Sequence, residues 1–323
     1  MRTLIKLFAV TKNTFIETLR QPVYSIILAI CLLMLLISPS ITMYSIDDDN
    51  KLLREIAYST IFLSGLFVAI FASAGAITQE VESKTASTVL SKPVPRFIFV
   101  LGKYFGIAGA VAIAHFLSSV VMMLIIRNGV MQTARDELDW TVITLLSAMF
   151  ILAVVVGAFA NYSWGWNFCS TAVITASGIG AIGMLLLYFT DKQWKFNPAE
   201  NHFAIFDFYS VLLLLLAILV LVSVAVLFST RCNIVITLLM CIGVFLLGLV
   251  SDYLFGRHAD TNLLSKITYM VLPNLQVFWI SDAIYLDSSV PAGYVLRCSL
   301  YALCYSTGMI SLATALFRGR EVG

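Results

Sequence analysis

The sequence carries little charge for its length. Only 12% of its 323 residues are Asp, Glu, Lys or Arg, whereas 60% are hydrophobic. Soluble globular domains carry about 25% charged residues, and the mean hydropathy of +0.95 is far above their range. This composition excludes a soluble domain and indicates an integral membrane protein, whose structural unit is the membrane-spanning helix.

The motifs of common enzymes are missing as well. The sequence has no HExxH, no GxSxG and no CxxC among its six cysteines, and neither His202 nor His258 has a ligand partner at helical spacing. It also lacks the GxxxxGK[ST] phosphate loop. We therefore expect a protein that is not an enzyme, binds no cofactor or metal and does not act on nucleic acid. If it moves a substrate uphill, ATP must be bound by a partner subunit.

Ionisable side chains are scarce within the apolar segments. Ion-coupled carriers usually need carboxylates buried at membrane depth. Here His115 and Arg297 are the exceptions, while Asp207 and Asp252 fall at segment ends. An ion-driven carrier is therefore the least favoured of the transport hypotheses.

The apolar residues form long runs that predict an all-α, polytopic bundle of transmembrane helices. A helix needs roughly 20 apolar residues to cross the hydrocarbon core. Eight runs meet this requirement, and we interpret the first as a retained helix rather than a signal peptide. A count of six or seven stays open because the fourth and fifth runs share a short polar hinge. The runs cover residues 23–43, 56–77, 100–126, 142–160, 168–189, 208–228, 234–250 and 294–317.

Two further segments are predicted to lie at the membrane surface. Residues 1–22 place Leu4, Phe8 and Leu19 near one helical face, which is typical of an amphipathic interfacial helix. Residues 256–290 are apolar in part but are interrupted by Pro273, which favours a re-entrant or interfacial helix at the outer face over a ninth span. We expect a single transmembrane domain over residues 1–323.

The basic residues are distributed unequally between the two sides. With eight spans and the N-terminus inside, the inner segments hold 11 of the 20 Lys and Arg residues but only four of the 18 acidic residues. Lys and Arg are enriched in cytoplasmic loops. The sequence therefore predicts a multi-pass protein of the plasma membrane, here a bacterial inner membrane, with both termini in the cytoplasm.

The segment at residues 78–99 is strongly polar, although it lies between two spans. Each of its charges would cost about 2.5–3.5 kcal/mol at the centre of a spanning helix, so we expect the segment to be cytoplasmic. Residues 82–91 contain neither Gly nor Pro and can form a short helix, which Pro93 and Pro95 would end. An ordinary solvated loop is the simpler interpretation.

The order of residues in this segment resembles the loop between the second and third helices of ABC type-2 transporter permeases. Lys84 departs from the glycine common in that family. The amphipathic leader and the basic C-terminal end are similar to the family too. The residues that carry the resemblance are Glu80, Glu82, Ser83, Thr85, Leu90, Ser91, Pro93, Val94 and Arg96, followed by Gly102 and Lys103.

The resemblance implies a specific function for the segment. In that family this loop carries the coupling helix, which touches a cytosolic ATP-hydrolysing subunit. The chain would then be the permease of an ABC exporter, paired with a second permease in a homodimer or heterodimer. The apolar spans favour a hydrophobic, amphiphilic or polymeric substrate. A membrane anchor or mechanical transducer that transports nothing is the alternative.

The family usually has six spans, so the hairpin at residues 142–189 would be an inserted pair. The motif formed by Gly102 and Gly106 allows close helix packing. From the sequence alone, this packing could serve either a dimer or a contact within the chain.

The charge asymmetry generates a topology prediction. Single cysteines introduced into a cysteine-free variant should react with an impermeant thiol reagent in intact cells only where the loop is external. We expect labelling at positions 45, 133, 197 and 261 and protection at positions 163 and 323. Labelling at position 323 or protection at position 197 would contradict this topology.

Overall fold

The structure, a computed structural model, describes residues 2–43, 49–78, 95–131, 138–198, 203–258, 262–281, 283 and 290–318. These residues are almost entirely helical. The α-helices are α1 (Arg2–Arg20), α2 (Pro22–Thr42), α3 (Asp49–Ser73), α4 (Arg96–Asn128), α5 (Trp140–Trp164), α6 (Phe168–Tyr188), α7 (Ile205–Ser229), α8 (Ile234–Leu254), α9 (Leu263–Val271) and α10 (Ala292–Arg318). Short π- and 3₁₀-helical turns cover Ala74–Thr78, Gly256–His258 and Gln276–Phe278.

The predicted number of spans is confirmed. Within the described ranges, eight helices are long and apolar enough to cross a membrane, namely α2 to α8 and α10. The α5–α6 hairpin supplies two of them, joined by a tight turn at Gly165, whose φ of 67° is left-handed. Glycine adopts this conformation without steric cost.

Three helices form the centre of the bundle. The apolar windows of α3, α4 and α7 are 67%, 78% and 67% buried, whereas those of the other spans are 22–33% buried. α2 packs on α3 and α4, α6 on α4, α8 on α7, and α10 on α7 and α4. The outer helices thus leave most of their apolar side chains free for lipid or for another subunit.

Consecutive spans run in opposite directions, which gives the bundle two ends. At one end, called the α1 end below, α1 meets the start of α2 and lies against the first half of α4. The last residues of α3, α5, α7 and α10 lie at this end as well. The other end, called the opposite end, holds the end of α4 and the starts of α3, α5 and α7.

A buried ion pair joins three helices at the opposite end. Arg127 Nε, near the end of α4, lies 3.0 Å from Asp139 Oδ2, and both side chains are fully buried. Asp139 also accepts hydrogen bonds from the backbone N–H groups of Thr141 and Val142, which caps α5. Arg127 donates three further bonds, to Thr141 Oγ1 (3.3 Å) on α5 and to Leu187 O (2.6 Å) and Thr190 O (3.1 Å) at the end of α6.

A second ion pair connects α3 to α7 at the same end. Arg54 Nε lies 3.0 Å from Asp207 Oδ1, and the Tyr58 hydroxyl donates a 2.6 Å bond to the same oxygen. The sequence placed Asp207 at a span end, and the structure shows what neutralises its charge there. These charge-assisted bonds fix the register of the two central helices.

The apolar stretch before the last span does not form one continuous helix. α9 ends at Val271, and Pro273 lies just beyond it, where it cannot continue the helix. The Leu275 N–H donates to Gly248 O on α8 at 3.0 Å. The break at Pro273 agrees with the sequence, while placement at the outer membrane surface stays a prediction.

The buried ion pair generates a stability prediction. Arg127→Met leaves Asp139 buried without its cation, and removal of one partner of a buried pair costs about 3–5 kcal/mol. We expect a lower thermal midpoint for the detergent-solubilised protein, and partial recovery in the double variant Arg127→Met/Asp139→Leu. Arg257→Met is the matched control, since Arg257 is exposed and stacks on Tyr253 at the same end. An Arg127 variant that melts like this control would contradict the role of the pair.

Candidate functional site at the α1 end

The two helices that flank residues 79–94 both belong to the centre of the bundle. α3 passes into the turn Ala74–Thr78, and α4 begins at Arg96. Most of the predicted coupling residues lie outside the described residues, and their placement stays a prediction. They are Glu80, Glu82, Ser83, Thr85, Leu90, Ser91, Pro93 and Val94. Of the predicted set, the structure describes Arg96.

The last turn before this segment is π-helical. A π turn widens the helix by one residue and often lies at functional sites. Residues 74–77 are buried, and Gly75 meets the side chain of Gln21, the residue between α1 and α2. A Cβ on Gly75 would lie 2.5 Å from Gln21 Nε2. The α1–α2 joint therefore packs directly against the end of α3.

α1 packs closely against α4 through the glycine motif predicted from the sequence. A Cβ at Gly102 would lie 2.7 Å from Val10 Cγ1, and one at Gly106 would lie 2.8 Å from the backbone oxygen of Thr11. A larger residue would force the helices apart. From the sequence alone, the Gly102–Gly106 motif could serve either a dimer or a contact within the chain. The structure shows that it serves a contact within the chain.

A buried lysine joins the same two helices. The side chain of Lys103 is 2% exposed, and its Nζ lies 3.7 Å from Glu17 Oε2 on α1 and 5.7 Å from the centre of the Phe99 ring. In the sequence, Lys103 stands just after the polar segment, near the start of the predicted span at residues 100–126. Its side chain is buried between α4 and α1, because α1 covers it and supplies the opposite charge. The Glu17 side chain as a whole is 39% exposed, but its Oε2, which faces Lys103, is buried.

The end of α10 is attached to the start of α4. Arg96 Nη1 donates to Phe317 O at 3.4 Å, and the rings of Phe99 and Phe317 stack with centres 5.5 Å apart. Arg231, which follows α7, donates to Leu316 O at 2.5 Å. Cations at these positions satisfy the terminal carbonyl groups of α10 and interact favourably with its dipole. Arg96, predicted to face a partner, is thus engaged within the chain.

Sequence reasoning missed three contributors to this site: Gln21, Glu17 and Phe317. Their contacts join positions far apart in the chain, so no local pattern shows them. One available signal was the spacing of Phe99, Lys103 and Gly106, which places a ring, a cation and a glycine on neighbouring turns of α4.

The described residues at the α1 end form a mechanical connection between helices. Across the described ranges, no group of three or more His, Cys, Asp or Glu side chains could hold a metal ion. What the α1 end provides is a pair of central helices, α3 and α4, held by α1 on one side and by α10 on the other. Close-packed helices transmit displacement because protein interiors are hardly compressible.

An apolar groove of about 460 Å³ opens on the side of the bundle near this end. It lies between α4, α7 and α10. Phe97, Leu101 and Phe105 form its α4 wall, while Ser306 and Thr307 contribute hydroxyl groups from α10. Such a surface accommodates an apolar chain or helix better than a hydrated ion.

Comparison with known families identifies the chain. The profile of the ABC-2 family transporter protein matches residues 8–260, which include most of α1, all of α2 to α8 and the whole of the 79–94 segment. No curated protein matches the chain. Because the match covers well over half of the 323 residues, the chain belongs to the ABC-2 family and is a multi-pass membrane permease component of an ABC transporter.

Proposed function

We propose that the chain is the permease subunit of an ABC exporter of the plasma membrane, driven by a separate cytosolic ATPase that docks on residues 78–99. The observation that carries this proposal is the position of the segment. It joins α3 and α4, two of the three most buried helices. The link from α4 to the third central helix, α7, instead passes through the two spans α5 and α6.

The proposed coupling is mechanical. When the ATPase changes shape, force on the segment reaches the π-helical end of α3 and the first turn of α4. α1 packs on α4 at Gly102 and Lys103, and Gln21, which follows α1, packs on Gly75, which follows α3. The two helices α3 and α4 would therefore move with α1 as one unit. Rigid-body motion of packed elements is a common way to switch between two states.

Different residues of the segment would form different parts of the contact with the ATPase. Glu80 and Glu82 would form charge-assisted hydrogen bonds with basic side chains of the ATPase, and Leu90 would fill an apolar pocket. Pro93 would stiffen the return to α4. Arg96 would hold that return in place through its bond to the end of α10. ATP would be bound by the partner, which is consistent with the missing phosphate loop.

The proposed pathway runs between two permease subunits, in a homodimer or heterodimer. α3, α4 and α7 pack tightly against each other, as at Gly65, where a Cβ would lie 2.3 Å from Ile218 Cδ1. The centre of one chain therefore leaves little room for a substrate. The apolar groove beside α4 and α10 supports a hydrophobic, amphiphilic or polymeric substrate.

A membrane anchor or mechanical transducer that transports nothing would use the same ATPase contact. The lateral groove favours transport, since a pure anchor has no need for one. Flux of a candidate amphiphile into inverted vesicles containing the assembled complex separates the two functions.

Charge reversal in the segment tests the docking site. Glu80→Lys and Glu82→Lys should weaken ATPase assembly tenfold or more where the carboxylate is buried at the contact, since loss of one partner of a buried pair costs about 2–5 kcal/mol. Leu90→Asp tests the apolar contact separately. Assembly is measured by copurification with the ATPase, and coupling by ATP hydrolysis in proteoliposomes, where the permease alone should hydrolyse none.

Asp47→Lys and Asp48→Lys are the matched controls, because in the sequence these acidic residues stand between the end of α2 and the start of α3, which both lie at the opposite end. All variants are compared at equal membrane expression. Segment variants that assemble and hydrolyse ATP like the parent would overturn the docking assignment and favour a plain solvated loop.

A further inference from the structure

Two pockets meet where α1 joins α2, beside the α5–α6 hairpin. The first, of about 390 Å³, lies between α1 and the turn of the hairpin. The second, of about 430 Å³, lies between α2, α4 and the hairpin. Arg20 and Asn167 line the first pocket, while Pro22 and Phe168 line the second. Since these pairs are close neighbours in the chain, the two pockets adjoin at this corner of the bundle.

The first pocket is lined mainly by apolar side chains, and Arg20 is the one charged residue in its lining. Arg20, the last residue of α1, is exposed and forms no ion pair with any residue that the structure describes. Neither pocket has a carboxylate in its lining. Asn167 adds a side-chain amide at the start of α6, where the helix dipole is positive, while the hydroxyl groups of Ser170 and Thr171 donate to Asn167 O. The Arg20 guanidinium and the Asn167 amide complement a phosphate.

The surroundings of the first pocket place it at the depth of lipid headgroups. Trp164 and Trp166 border it with ring centres 5.3 Å apart, and both rings are more than half exposed. Tryptophan is enriched where the hydrocarbon core meets the headgroups. The second pocket begins at Pro22 and continues along the apolar face of α2, past Ala29, to Leu32. It is therefore placed to hold an acyl chain.

We propose that the two pockets form one binding site for an anionic phospholipid of the leaflet at the α1 end. The phosphate contacts Arg20 and the start of α6, and one acyl chain fills the pocket beside α2. The lipid would join α1 to the α5–α6 hairpin, which is the pair of spans that this chain has in addition to the six usual in the family. It would thereby hold α1 against α4 and against Gly75 from the outside. The site does not depend on which substrate the chain moves.

Native mass spectrometry of the purified full chain tests the site. Phosphatidylglycerol and phosphatidylcholine with identical acyl chains are titrated separately. We expect phosphatidylglycerol to be retained preferentially, and Arg20→Gln to weaken its binding about fivefold, the effect of one basic residue near an anionic surface. Arg20→Lys should keep the binding, and Arg257→Gln, at the opposite end, is the matched control.

Two further measurements test the acyl-chain pocket. Ala29→Phe fills it and should reduce the binding of phosphatidylglycerol, whereas glycerol phosphate, which has no acyl chain, should neither bind nor compete. Equal retention of phosphatidylcholine by the parent would overturn the proposal, and so would unchanged phosphatidylglycerol binding by Arg20→Gln. The comparison of Arg20→Gln with Arg20→Lys decides the matter even if Ala29→Phe does not fold.

Discussion

A charged side chain inside a membrane bundle must be paired or must reach an end of the bundle, because an isolated charge in hydrocarbon is costly. The described charges near the spans follow this constraint. Arg127 with Asp139 and Arg54 with Asp207 are paired at the opposite end, and Lys103 with Glu17 at the α1 end. The charges of residues 79–94 are too many for such pairing within a span. We therefore expect them to lie at the end of the bundle, where a soluble partner can reach them.

The two ends consequently differ in character. At the opposite end, Arg127 forms hydrogen bonds with the start of α5 and with the end of α6, so it holds the two helices in fixed positions relative to each other. At the α1 end, the described contacts include glycine packing, the Lys103–Glu17 ion pair and bonds to the last carbonyl groups of α10. They hold α1, α4 and the end of α3 together. We expect the α1 end to move when the ATPase binds and the opposite end to stay fixed.

The sequence predicted the features that depend on local composition. Eight apolar runs became eight helices, and Pro273 ended the helix before the last span as expected. Helix ends were predicted less well. α3 begins at Asp49 rather than at residue 56, because its polar first turns are stabilised through Arg54 by Asp207 on another helix. The burial of Lys103 could not be predicted, since it depends on how α1 lies on α4. The role of residues 79–94 came from a family resemblance, and it stays a prediction.

The central claim is that a cytosolic ATPase binds the segment between α3 and α4, and crosslinking in living cells tests it directly. A photoreactive amino acid is placed at Thr85 or Ser91 and, as a control, at Asp191 in the loop after α6. The account predicts a crosslinked adduct from the first two positions alone, and its partner should contain a GxxxxGK[ST] phosphate loop when sequenced by mass spectrometry. An adduct with such a protein from Asp191, or none from Thr85 and Ser91 while the complex copurifies, would contradict it.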